Sequence, residues 1–137
     1  MPLDPARIAE TRAWFQKSGE DLRAAEFERT ARPPLSADIA FHAQQAAEKA
    51  MKGFLSWHNV PFGKTHNLVE LGQACVRMDV TLESILRPAA PLTEYAWRFR
   101  YPGDLEMPPQ GEAEAALAVA REVQEALVSR LPPEVKP

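Results

Sequence analysis

The chain has 137 residues, 45% of them hydrophobic and 26% charged, the balance of one ordinary globular domain rather than a disordered chain. Sixteen Lys and Arg against nineteen Asp and Glu give a net charge of −3, which excludes a generally basic nucleic-acid coat but not a local basic site. No apolar run approaches the ~18 residues of a membrane helix, and the first residues do not read as a signal peptide. The single cysteine, Cys75, excludes an intrachain disulfide framework and fits a reducing cytoplasm.

Thirteen prolines against six glycines punctuate the sequence. The stretches between them are rich in Ala, Glu, Gln, Lys and Leu, and none alternates strictly between apolar and polar residues. The expected fold is therefore all-α, an antiparallel bundle of about five helices in a single domain. Its core is expected over about residues 6–131, with a flexible tail over 132–137.

Asp4-Pro5 reads as an N-cap followed by proline at the first helical position. Ile8, Thr11, Phe15, Ser18, Leu22 and Ala25 then form one stripe of the first helix. Pro33-Pro34 ends any continuation, and Ser36 is the expected cap of a second helix reaching about His58. A third helix follows Thr65, or follows Asn67 with Glu70 as a capping box, and carries Leu68, Leu71, Cys75 and Met78. Thr81 opens a fourth, which Pro88 must disturb and Pro91 restarts through Arg100; Tyr101-Pro102-Gly103 closes it. The last helix is expected over about Gly111–Leu131, with Ala113, Ala116, Leu117, Ala120, Val123 and Leu127 on one side.

The second helix carries the most information. At about 100° per residue, Asp38, His42, Gln45, Lys49, Lys52 and Ser56 form a narrow solvent stripe. The wide remaining arc is apolar, except that Gln44 falls in its middle and Glu48 one turn later at its edge. Buried polar groups need partners. On the fourth helix Arg100 projects onto the face of Ala89, Leu92, Ala96 and Phe99, where it is expected to pair with Glu48. Such a pair either bridges two helices or leaves guanidinium donors for an anion, making a pocket of Arg100, Gln44, Glu48 and Lys52 for phosphate or nucleotide. A second candidate is the start of the third helix, where free backbone N–H groups would stand beside Lys64 and His66; the plainer alternative there is a cap at Thr65 or Asn67. Trp14, Trp57 and Trp97 read as packing anchors rather than base-stacking platforms. The histidine and cysteine spacing gives no metal site, and no phosphate-loop, dinucleotide, zincin or serine-hydrolase motif occurs, so no cofactor is expected.

The run Phe41-His42-Ala43-Gln44-Gln45-Ala46-Ala47-Glu48-Lys49-Ala50-Met51-Lys52 resembles the signature second helix of HEPN domains. Trp14 and Glu20-Asp21-Leu22 upstream, then Lys64-Thr65-His66-Asn67-Leu68, Arg100-Tyr101-Pro102 and an alanine-rich last helix, resemble the family's other elements in the expected order. The resemblance implies a helical bundle, usually a homodimer, paired in prokaryotes with a minimal nucleotidyltransferase, often as toxin and antitoxin. Many members are metal-independent ribonucleases using an arginine and a histidine four to six residues apart. Here Arg98 and Arg100 are the available arginines, and no histidine stands at Gly103, Asp104, Leu105, Glu106 or Met107. The motif is incomplete. A dimeric module binding nucleotide or RNA phosphate is the first expectation, with Arg100, Gln44, Glu48, Lys52, Lys64 and Tyr101 as ligand-binding residues. The alternatives are a ribonuclease using Arg100 with Asp104 or His66 for proton transfer, and a non-catalytic homodimeric scaffold. By analogy with the family pairing, Tyr101 is also a candidate target for nucleotide addition by the partner.

Overall fold

The computed structural model describes residues 3–103 and 106–137, and helices are the only regular secondary structure among them, with no strand. The α-helices are α1 (Pro5–Glu28), α2 (Ser36–Trp57), α3 (Leu68–Met78), a single turn α4 (Glu83–Leu86) and α5 (Gln110–Ser129). A 3₁₀ helix over Arg87–Ala96 continues from α4, and a short one over Val80–Leu82 precedes it. None of the described helices is long and apolar enough to cross a membrane.

The bundle is built around α2. It packs against α1, α5, α3 and the Arg87–Ala96 helix. Ala40, Ala43, Ala46, Ala47, Ala50 and Gly53 are all buried on it, and their small side chains let neighbouring backbones approach closely. α1 runs antiparallel to it: Glu28 meets His42, Asp21 meets Lys49 at 2.7 Å, and Trp14 lies against Lys52. Ser18, fully buried, donates to the carbonyl of Ala46 at 2.7 Å and so satisfies a hydroxyl inside the seam.

Local chemistry sets most boundaries as expected. The Asp4 side chain accepts from the Ala6 N–H, with Pro5 at the first helical position. Asn67 caps α3 by accepting from Val69 and Glu70 N–H groups. Glu70 does not complete a capping box, because its carboxylate accepts from Thr65 Oγ1 at 3.5 Å. Ser36 is not the cap of α2 either. Leu35 occupies that position without a side-chain cap, and Ser36 Oγ donates to Gln110 Oε1 at 2.8 Å, joining α2 to α5.

The fourth helical region differs most from the expectation. Pro88 and Pro91 lack the N–H groups an α-helix uses, and each ring clashes with the carbonyl four residues back. The chain answers with 3₁₀ winding over ten residues, Arg87–Ala96, and then a turn in which Phe99 takes a positive φ of 68°. Three residues per turn rather than 3.6 rotate every later side chain relative to an α-helical projection. Tyr95 is thereby buried, its hydroxyl donating to Glu112 on α5, and Arg100 is displaced from the core face. The core also runs past Leu131. Val135, within the expected flexible tail, is fully buried in the main cluster, and Arg12 donates to the neighbouring carbonyl of Glu134.

Candidate functional site

Phe41, Gln44, Glu48 and Lys52 fall along one ridge of α2 at spacings of three and four residues. The connection between α2 and α3 folds back over this ridge. Phe62 packs edge-on against Trp14 with centroids 5.8 Å apart, and His66 stands immediately before the Asn67 cap.

Glu48 is the centre of a closed hydrogen-bond network. Its Oε1 accepts from His66 Nδ1 at 2.7 Å and from Gln44 Nε2 at 3.1 Å, and its Oε2 accepts from Lys52 Nζ at 3.0 Å. Gln44, with no exposed surface, also donates to the His66 carbonyl at 3.3 Å and accepts from Gln45 Nε2 at 2.6 Å. Burial is the largest influence on the Glu48 carboxyl and pushes it up. Hydrogen bonds from His66, Gln44 and Lys52, with the Lys52 charge, outweigh burial and hold it below its ordinary value. The group is therefore ionised at neutral pH.

Lys52 departs from the expected solvent stripe. Its side chain is only 9% exposed, with the ammonium 5.7 Å from the Trp14 ring centroid and 5.8 Å from that of Phe62. A desolvated ammonium is tolerable there because one carboxylate and two aromatic faces replace its water.

The expected Arg100–Glu48 pair does not form. Arg100 is exposed; its Nη1 donates to the Ala96 carbonyl at 3.2 Å, and its guanidinium lies 3.9 Å from the centroid of the Phe41 ring. The 3₁₀ winding and the turn at Phe99 carry it outward, and Glu48 takes its hydrogen-bond donors from its own helix and from the α2–α3 connection. Arg100 and the Glu48 network still share α2: Phe41 and Glu48 are seven residues apart, two turns or ~10 Å along the axis.

The N-terminus of α3 offers no set of free donors. Leu68 N–H donates to Thr93 Oγ1 at 3.1 Å, and the next two N–H groups go to Asn67 Oδ1. Lys64 and His66 are exposed beside it. Tyr101 is exposed next to Arg100, and Asp104 lies outside the described residues. Trp57 packs against the core as expected and Trp14 packs against Phe62, whereas Trp97 is 54% exposed.

The arrangement thus separates two kinds of residue. Gln44, Glu48 and Lys52 are buried and mutually satisfied, so they act as a support. His66, whose side chain is 59% exposed, and Arg100 are groups a ligand can reach, as are the exposed Lys64 and Tyr101. His66 as the partner of Glu48 was not legible in the sequence, where eighteen positions separate them; only the burial of a carboxylate on α2 signalled that some partner was required.

Comparison with curated proteins and with solved structures gives no match. The family model of the HEPN domain matches residues 11–131, most of the chain, from within α1 to beyond the end of α5. Its span takes in the α2 ridge, the His66 connection and the Arg100 turn together, and the chain belongs to the HEPN domain family.

Proposed function

We propose that this HEPN-domain protein is a dimeric module that binds the phosphate of a nucleotide or of RNA and acts as the partner of a minimal nucleotidyltransferase in a toxin–antitoxin-like pair. The observation that supports it is the exposed Arg100 guanidinium laid on the Phe41 ring, on the same helix that presents the Glu48–His66 pair. A guanidinium held over an aromatic face keeps N–H donors available for contact with phosphate oxygens. The exposed Trp97, Tyr101 and Met107 give the Arg100 end of the molecule the apolar character of an association surface, which supports the homodimer. Calorimetric titration with nucleotides, comparing wild type with Arg100→Ala, tests the binding. Heat that disappears in the folded variant is the expected result, and equal heats remove Arg100 from the site. Sedimentation of wild type and Phe41→Asp tests the dimer, and copurification with the product of a neighbouring nucleotidyltransferase gene tests the pairing.

A second reading, a metal-independent ribonuclease, draws support from one observation: His66 is a surface histidine backed by the buried Glu48 carboxylate, an arrangement that can pass a proton to or from a substrate. RNA incubated with the protein in EDTA is cleaved under this reading, and cleavage is lost in both His66→Ala and Arg100→Ala. Intact RNA across neutral pH removes it.

A further inference from the structure

The imidazole of His66 faces two environments. Nδ1 is 2.7 Å from Glu48 Oε1, inside a network where the carboxylate side chain is 5% exposed, while the ring as a whole is 59% exposed. An ionised carboxylate can only accept hydrogen bonds, so this contact places the ring proton on Nδ1. When the ring carries that one proton, Nε2 is left as its acceptor. Glu48 is not free to turn away. Lys52 holds its other oxygen at 3.0 Å, Gln44 shares the first at 3.1 Å, and Gln45 in turn fixes Gln44 at 2.6 Å. Three supporting side chains on α2 therefore orient one histidine from the preceding connection of α3, as an outer carboxylate orients a functional imidazole.

A site consisting of Arg100 alone would ask of its ligand only a phosphate. An acceptor held by Glu48, on the same helix whose Phe41 holds Arg100, adds a second requirement, a hydrogen-bond donor at some distance from that phosphate. The ribose 2′-hydroxyl is such a donor on every ribonucleotide, and it is the group that distinguishes RNA from DNA. We propose that His66, fixed by Glu48, accepts a hydrogen bond from the ribose 2′-hydroxyl of the bound phosphate ligand, so that this face selects ribose over deoxyribose. The proposal rests on the phosphate-binding reading above. In it His66 touches the ligand, and Glu48 is a positioning residue that acts only through His66.

Titration of the full chain with AMP and with hexaadenylate, each beside its 2′-deoxy counterpart, tests the proposal and tells a free nucleotide from an RNA strand. For whichever source binds, the ribose form is expected to bind about tenfold more tightly, the effect of one satisfied hydrogen bond. Arg100→Ala weakens ribose and deoxyribose forms alike and leaves their ratio unchanged; His66→Ala brings the ratio to one. Nitrogen-15 spectra of the imidazole in the unliganded protein are expected to show the Nδ1–H tautomer in wild type and a mixture of tautomers in Glu48→Gln, with a reduced ratio in that variant. Equal affinity for ribose and deoxyribose forms overturns the proposal while leaving phosphate binding intact. A preference that survives His66→Ala, or an Nε2–H tautomer in the wild type, overturns it as well. Absence of heat with all four ligands removes the phosphate-binding reading and this proposal with it.

Discussion

The ammonium of Lys52 lies 3.0 Å from the carboxylate of Glu48, one turn earlier on α2, and the rings of Trp14 and Phe62 close over its other side. Both side chains are almost fully buried. Neither charge has bulk water to fall back on, so the two are energetically coupled, and removal of one strands the other. Lys52→Met is expected to destabilise the fold by about 3 kcal/mol, read from denaturant unfolding. In Glu48→Gln/Lys52→Met the loss should be clearly smaller than the sum of the two single losses, because no charge is left unpaired. Additive losses would show that the pair is not coupled.

Glu48 also predicts a pH dependence. Its folded carboxyl lies below the ordinary value, burial being outweighed by its hydrogen bonds and by Lys52. A depressed folded pKa means that the unfolded chain takes up the proton first on acidification. The stabilisation is then complete above the unfolded carboxylate value of about 4.3 and disappears as pH falls through the lower folded value. The Tm difference between wild type and Glu48→Gln should accordingly be constant near neutrality and shrink under acid. A difference that grows on acidification contradicts the assignment.

Arg100 and Phe41 form a pair in which the ring serves the cation. Arg100 is exposed, so Arg100→Ala should change unfolding free energy by less than about 1 kcal/mol. Its effect belongs to binding: weaker phosphate affinity, with a salt slope lower by about one. Phe41→Leu keeps an apolar side chain but removes the aromatic face, and should weaken binding in the same direction by a smaller factor. Unchanged affinity in Phe41→Leu would mean that the ring does not preorganise the guanidinium.

Gly53 sits where α1 and α2 touch. A Cβ built there meets the Phe15 ring at 2.8 and 2.9 Å and the Trp14 Cβ at 3.0 Å. Phe15 is 1% exposed and has no room to retreat. Alanine would gain about 1 kcal/mol of helix propensity, yet overpacking of this kind costs about 1–3 kcal/mol. Gly53→Ala is expected to lower Tm on balance, whereas Gly19→Ala, with nothing within 4 Å of its Cβ, should raise it.

The C-terminal residues contribute to the core rather than trailing from it. Val135 is fully buried, and truncation after Leu131 removes it together with the Arg12–Glu134 contact. Loss of a buried valine side chain alone corresponds to roughly 1.5–3 kcal/mol. A truncated chain as stable as the full one in urea would show that this burial carries no energy.

How much of this was legible in the sequence depends on the range of the interaction that decides it. The α1 stripe, the Asp4-Pro5 start, the Asn67 cap and the buried face of α5 all follow from neighbours within a few positions, because helical periodicity and capping are local. The family, the all-α class and the anomaly of Gln44 and Glu48 on an apolar helix were readable for the same reason. Arg100 was misplaced because its projection assumed an α-helix where two prolines force 3₁₀ winding and Phe99 turns the chain. Lys52 was misplaced because helical periodicity assigns it a direction but says nothing of the Trp14 and Phe62 rings that cover it. The sequence alone determined that α2 holds a buried carboxylate in need of partners. Lys52 stands at the i,i+4 position where a helix places such a partner, but only the tertiary structure decided that His66 is the other, since closing an eighteen-residue separation depends on how the α2–α3 connection packs, and no local pattern carries that information.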